Sequence, residues 1–293
     1  MDLTAAPGSS PAPPSPYPYA PPRYSFAETP VETTTRLRPV RPRHPARTAG
    51  AAACVVLGLG LIGGAVTGTW LTGDSSADPG ARTAYSEGRS AWHSVPVATL
   101  FPATLKGDGA GPGATDRVWT RVAVAPDSTC TKGLDPLLLK TLRPVGCARM
   151  VRATYTDATH SSVVTVGMVF TEADTEGMRA LDARFTGQRL DRRADLMPRT
   201  YAPEGTVASG FGDRQRASWT IHVLTEVPVV VFAVSGFADG RPVGTPQPAA
   251  EAMAAGATTA VAQAGLGHEA KGVADRVERG LRRTVTARTE QPG

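Results

Sequence analysis

From Thr48 to Gly73 the chain carries no ionisable side chain other than the thiol of Cys54, and Arg36, Arg38, Arg41, Arg43 and Arg47 crowd the N-terminal edge of this run. A helix rises about 1.5 Å per residue, so such a stretch exceeds a hydrocarbon core of about 30 Å and has length left for tilt. Arginines stay on the cytoplasmic side of a span, and Asp74 and Asp78 follow this one. The expected localisation is therefore the cell membrane, single-pass, with a cytoplasmic N-terminus and an extracellular C-terminal domain. The lipid bilayer is the first expected partner.

Two other readings of the apolar run carry less weight. Signal h-regions are about 7–15 residues long and lie near the start of a chain, whereas this run is longer and begins at Thr48. Gly58-Leu59-Gly60-Leu61-Ile62-Gly63 matches the G-x-G-x-x-G of dinucleotide-binding folds, and Asp78 stands where a ribose-binding acid would. That chemistry needs a helix after the glycines and a second strand before the acid. Gly64 to Thr72 is short and contains Gly68, and Asp78 runs into Pro79-Gly80, so no cofactor is expected. Gly60, Gly64 and Gly68 share one helix face instead, the small-xxx-small pattern through which spans self-associate.

Composition sorts the remainder into blocks. Residues 1–47 hold twelve prolines and few large aliphatics, too little apolar surface to offset ordering entropy, so a disordered Pro-rich cytoplasmic tail is expected. Residues 48–73 are the predicted transmembrane helix, 74–81 a linker and 82–290 an extracytoplasmic domain. The formal charge of +5 divides unevenly. The tail's six arginines against Asp2, Glu28 and Glu32 give +3, and the remaining 25 basic against 23 acidic residues give +2. The basic balance thus reports topology, and no nucleic-acid partner is expected.

In the outer region, Tyr85, Gly88 and Trp92 predict a helix over 82–93. Arg117 to Ala125 reads as a strand with Val118, Thr120, Val122 and Val124 on one face, after a glycine-rich loop from Lys106 to Thr115. Asp135-Pro136 opens a short helix to Leu142. Two strands, 147–155 and 161–170, flank the turn Asp157-Ala158-Thr159-His160. Asp174 caps a helix with Met178, Leu181 and Phe185 inward, and residues 190–212 are irregular. Ala217 to Leu224 places Trp219, Ile221 and Val223 on one side and Ser218, Thr220 and His222 on the other, and Val227 to Val234 reads as a central strand. A final helix repeats Val273, Val277, Leu281 and Val285, with Asp275/Arg279 and Glu278/Arg282 as i,i+4 pairs. The expected fold class is α+β, a mainly antiparallel sheet of about five strands with packed helices, its inner β-α-β-β-α-β run resembling a ferredoxin-like core.

Cys130 and Cys147 are the two thiols on the expected oxidising side, so a disulfide between them is inferred. The bridge demands Cα atoms within about 7 Å, so the chain before Cys130 or after Leu142 must run back along the intervening helix. Chemistry is otherwise sparse. His44, His93, His160, His222 and His268 share no ligand spacing, no catalytic motif occurs, and neither a metal site nor a catalytic residue is assigned. Glu172, Asp174 and Glu176 are accounted for by helix capping. The loop Gly210 to Arg216 presents Asp213, Arg214 and Arg216 as candidate ligand-binding residues for a carboxylate or phosphate, with His222 on the following strand.

Leu100-Phe101-Pro102, the run Val118 to Asp127 leading to Cys130, Ala153 to Ala158, and Gly210-Phe211-Gly212-Asp213-Arg214 resemble segments of uncharacterised single-pass membrane proteins of actinobacteria. The resemblance implies location and lineage and supplies no catalytic residue. The expected function is a membrane-anchored binding or accessory domain of the cell envelope, its partner an envelope protein or a second copy through the span. The alternative is an envelope enzyme with a site around His222 and Asp213.

Overall fold

The computed structural model describes residues 79–126 and 128–290. Helix α1 (Pro79–Ser94) leads into a turn of helix, α2 (Val97–Leu100), and strands β1 (Thr104–Gly107) and β2 (Arg117–Val124). Helices α3 (Cys130–Gly133) and α4 (Pro136–Leu142) follow, then β3 (Arg149–Asp157), β4 (Ser162–Phe170) and α5 (Thr175–Gln188). The chain closes with β5 (Ser218–Val223), β6 (Val229–Phe237), β7 (Gln247–Pro248), α6 (Ala249–Ala252), α7 (Ala260–Gln263) and α8 (Leu266–Thr289).

Local chemistry accounts for the principal boundaries. The Asp135 carboxylate accepts from Leu137 N at 3.1 Å, and the Asp174 carboxylate from Gly177 N at 2.8 Å, each satisfying an amide that a helix start leaves orphaned. In the β3–β4 turn the Asp157 carboxylate accepts the backbone amides of Thr159, Ser161 and Ser162 and the hydroxyls of the same three residues. Burial alone would raise this acid. The hydrogen bonds outweigh it and hold the Asp157 pKa at about 2.

The sheet has seven strands in the order β1-β2-β3-β4-β6-β5-β7. All neighbours are antiparallel except β5 and β7, which are parallel. This corrects the expectation of about five antiparallel strands: β1 and β7, the two edges, had no strong strand pattern, and the sheet is mixed. It also corrects the ferredoxin-like core. A split βαβ unit needs its two strands parallel and separated, whereas β2 lies directly antiparallel to β3, because the α3–α4 excursion returns the chain beside the strand it left. The predicted face of β2 is corrected as well. Trp119, not Val118, is buried, and a bulge between Arg121 and Ala123 brings Val124 onto the Trp119 side.

Among the described residues no helix is long and apolar enough to cross a membrane. The transmembrane helix in the expected fold class falls on 48–73, outside the described residues. The tail of 1–47, most of the linker and Gly60, Gly64 and Gly68 lie outside them too.

Both faces of the sheet are covered, which is why β4 and nearly all of β6 are buried throughout. On one face, α1 and α8 pack over Tyr155, Val164, Val166, Val229 and Val231. On the other, α4, α5 and the 190–216 segment pack over Met150, Val163, Ile221, Val230 and Phe232. The stripe Val273, Val277, Leu281 and Val285 of α8 is buried as its period predicts. The Trp119 indole fits between two glycines: a Cβ at Gly107 would come within 2.4 Å of the ring and one at Gly272 within 2.6 Å. Its Nε1 donates to the carboxylate of Glu269, which also faces Arg117 Nε at 3.2 Å.

Candidate functional site

The alternation of β5 sends Thr220 and His222 toward α8. There His222 Nδ1 lies 2.6 Å from Glu278 Oε2, and His222 Nε2 lies 2.9 Å from Thr220 Oγ1. The carboxylate fixes the ring's orientation: Nδ1–H donates to Glu278, and Nε2 faces the Thr220 hydroxyl. Glu278 also pairs with Arg282, and Arg282 with Glu226. Burial pushes the Glu278 carboxyl up, but the His222 hydrogen bond, with the charges of His222 and Arg282, outweighs burial and holds the group below the ordinary glutamate range. The expected Glu278/Arg282 pair is present, whereas Asp275 pairs with Lys271 at 2.7 Å.

A cleft of about 380 Å³ opens beside this series, its charged lining being His222, Glu278 and Arg282 together with Asp182, Asp191, Arg189 and Arg192. It runs along residues 221–224. Strand β7 pairs only with Ser218 and Trp219, so beyond Trp219 no described strand continues the sheet on that side. Arg189 ends α5 in the left-handed conformation, φ 51°. It and Arg192 reach the cleft without an ion-pair partner among the described residues.

Asp213, Arg214 and Arg216 stand elsewhere. Asp213 opens a turn of 3-10 helix before β5. Arg216 donates from Nε to the Asp213 carbonyl at 3.0 Å and from Nη1 to the Met197 carbonyl at 2.9 Å, so it staples the 190–216 segment to the start of β5. Arg214 is exposed. None of the three lines the His222 cleft. Sequence reasoning missed Arg189 and Arg192 and saw Glu278 only as the partner of Arg282; a carboxylate on α8 facing a strand histidine leaves no local spacing to find.

Cys130 and Cys147 form a disulfide, their Cα atoms 6.4 Å apart. Ser128 bridges to Met150, so the chain before Cys130 runs beside β3 and supplies the return that the bridge requires. Among the described residues no three His, Cys, Asp or Glu side chains gather as metal ligands. In comparisons with known proteins, no family, no curated protein and no solved structure matches this chain.

Proposed function

We propose that residues 79–290 form an extracytoplasmic binding or accessory domain of the cell envelope, tethered to the membrane by 48–73 with the N-terminus inside. The disulfide supports an oxidising compartment. Binding is carried by one observation: the cleft lies along the part of β5 that β7 leaves unpaired, with Arg189 and Arg192 at its rim. An open strand edge offers main-chain donors and acceptors to an extended segment, and Arg189 and Arg192 with Asp182 and Asp191 offer that segment charged partners of both signs. The partner is thus an extended stretch of an envelope protein. Self-association is assigned to Gly60, Gly64 and Gly68 in the span.

A photo-crosslinking residue placed at position 192 in cells tests this reading. A discrete protein adduct at 192, absent when the same residue replaces exposed Arg179, is expected; no adduct at 192 contradicts it.

A second reading, an envelope hydrolase, is favoured by the series Thr220–His222–Glu278, which has the order hydroxyl, base, orienting carboxylate. Asp213 has no part in it. Thr220 does not line the cleft, which favours binding. Labelling of Thr220 by a fluorophosphonate, lost in Thr220→Val, would establish the enzyme instead.

A further inference from the structure

We propose that the groove between β1 and α8 binds a linear, phosphate-bearing polyanion through Lys106, Arg276, Arg279 and Arg283. It is separate from the His222 cleft and stands independently of the reading given above.

The groove has a volume of about 400 Å³, and its lining holds these four cations and no carboxylate. Arg276, Arg279 and Arg283 fall at i, i+3 and i+7, so they share one face of α8. Lys106 comes from a strand distant in sequence, so the groove is a tertiary product and not only a charged helix face. Arg276 is fixed in place: its Nε and Nη2 donate to the carbonyls of Lys106 and Asp108, each at 3.1 Å, and its guanidinium stands 5.6 Å from the Trp119 ring centroid.

The other three cations are uncommitted. Asp275, the acid one turn before Arg279, is taken by Lys271. Lys106, Arg279 and Arg283 therefore have no ion-pair partner among the described residues. Burial pushes the Arg276 guanidinium below the usual arginine range; Arg279 beside it pushes the same way, and Asp275 and Asp108 push against it.

The shape selects the class of ligand. A second cavity of about 450 Å³ shares Arg276 and Arg279 and continues along α8 to His268. It also holds Asp108 and Asp275, so the positive excess is centred on 276–283. From Arg276 to Arg283 the helix runs about 10 Å, room for two or three successive phosphate groups rather than one. No Phe, Tyr or Trp lines either cavity, and His268 lies at the far end of the second one, so bases over the 276–283 face find no broad stacking platform and the phosphate chain itself is what the groove recognises.

Hydrogen–deuterium exchange of the full chain in low salt, with and without sodium tripolyphosphate, tests the assignment. Protection is expected in peptides covering 99–107 and 276–286. The exposed positions of Arg279 and Arg283 keep the variants folded, which circular dichroism checks. Arg279→Gln with Arg283→Gln should weaken tripolyphosphate binding by these peptides about tenfold or more, since each removes a charge-assisted contact. Arg179→Gln with Lys132→Gln, the same charge change on another surface, should alter it less than about twofold. Protection confined to 36–47, or equal weakening in both double variants, would reduce the effect to general attraction by a basic chain and overturn the proposal. Orthophosphate binding as tightly as tripolyphosphate would overturn the linear ligand. A thymidine oligonucleotide of matched charge binding more tightly at the same peptides would overturn the ligand class.

Discussion

The indole Nε1 of Trp119 donates to the carboxylate of Glu269, joining β2 to α8 across 150 residues of chain. Glu269 is 3% exposed, and a buried carboxylate is tolerated only with partners. Burial raises its pKa above the ordinary glutamate value of 4.5 despite donation from Trp119 and the charge of Arg117, and the charge of Asp157 adds to the rise. This acid is a structural clasp that positions α8, and with it Glu278 and the Arg276–Arg283 face.

The clasp has a pH signature. A group whose folded pKa exceeds its unfolded value contributes stability that is fully present below the unfolded value, here 4.5, and is lost as pH rises through the folded value. Glu269→Gln keeps an acceptor for the indole and cannot ionise. Urea unfolding of the variant and the parent should therefore show the variant gaining relative stability as pH increases from 4 to 8. A difference that stays flat over this range would contradict the buried charge.

Gly272→Ala should destabilise the domain by about 1–3 kcal/mol, the usual cost of overpacking a filled core. The added Cβ meets the Trp119 ring rather than a flexible chain end. Gly280, with nothing within 4 Å of a Cβ, is the control. Its replacement by alanine should be neutral or stabilise the helix by up to about 1 kcal/mol, as chemical denaturation would report.

Asp157 predicts the opposite pH slope. Its folded pKa of about 2 lies below the unfolded 3.8, so its contribution is present above 3.8 and lost as pH falls toward 2. Asp157→Asn should lower stability at pH 7 and flatten the acid limb between pH 4 and 2. An unchanged acid limb, followed by circular dichroism, would show that the β3–β4 turn does not depend on the charge.

Reducing the disulfide should cost about 3 kcal/mol in the chain-entropy picture of a closed loop of this size. Scanning calorimetry with and without reductant measures it. Loss is expected chiefly in the α3–α4 excursion, which packs Leu134, Leu138 and Leu142 beneath the bridge. Equal melting of the two forms would contradict a structural staple.

Elements with their own chemistry were legible in the sequence. Asp135 and Asp174 announced two helix starts, the period of α8 gave its buried face, and alternation placed His222 opposite Trp219 and Ile221. What escaped depends on partners distant in the chain. β1 is four residues including Lys106 and Gly107, and β7 is Gln247–Pro248; both are strands because a neighbour pairs with them, not because of propensity. The bulge after Arg121 reversed the parity of β2, which period-two reasoning cannot anticipate. Of the candidate binding residues, Arg216 serves a fold contact and His222 alone reaches a cleft. One signal was available: Glu269 precedes Val273 by four and so sits on the apolar stripe of α8, and an acid there implies a buried partner.

Location is tested most directly by adding protease to intact cells that carry an N-terminal epitope within residues 1–47. Digestion of the domain at 79–290, with the epitope protected until the membrane is permeabilised, is the predicted result. A domain protected in intact cells while the epitope is lost would contradict the extracytoplasmic placement and the envelope function built on it.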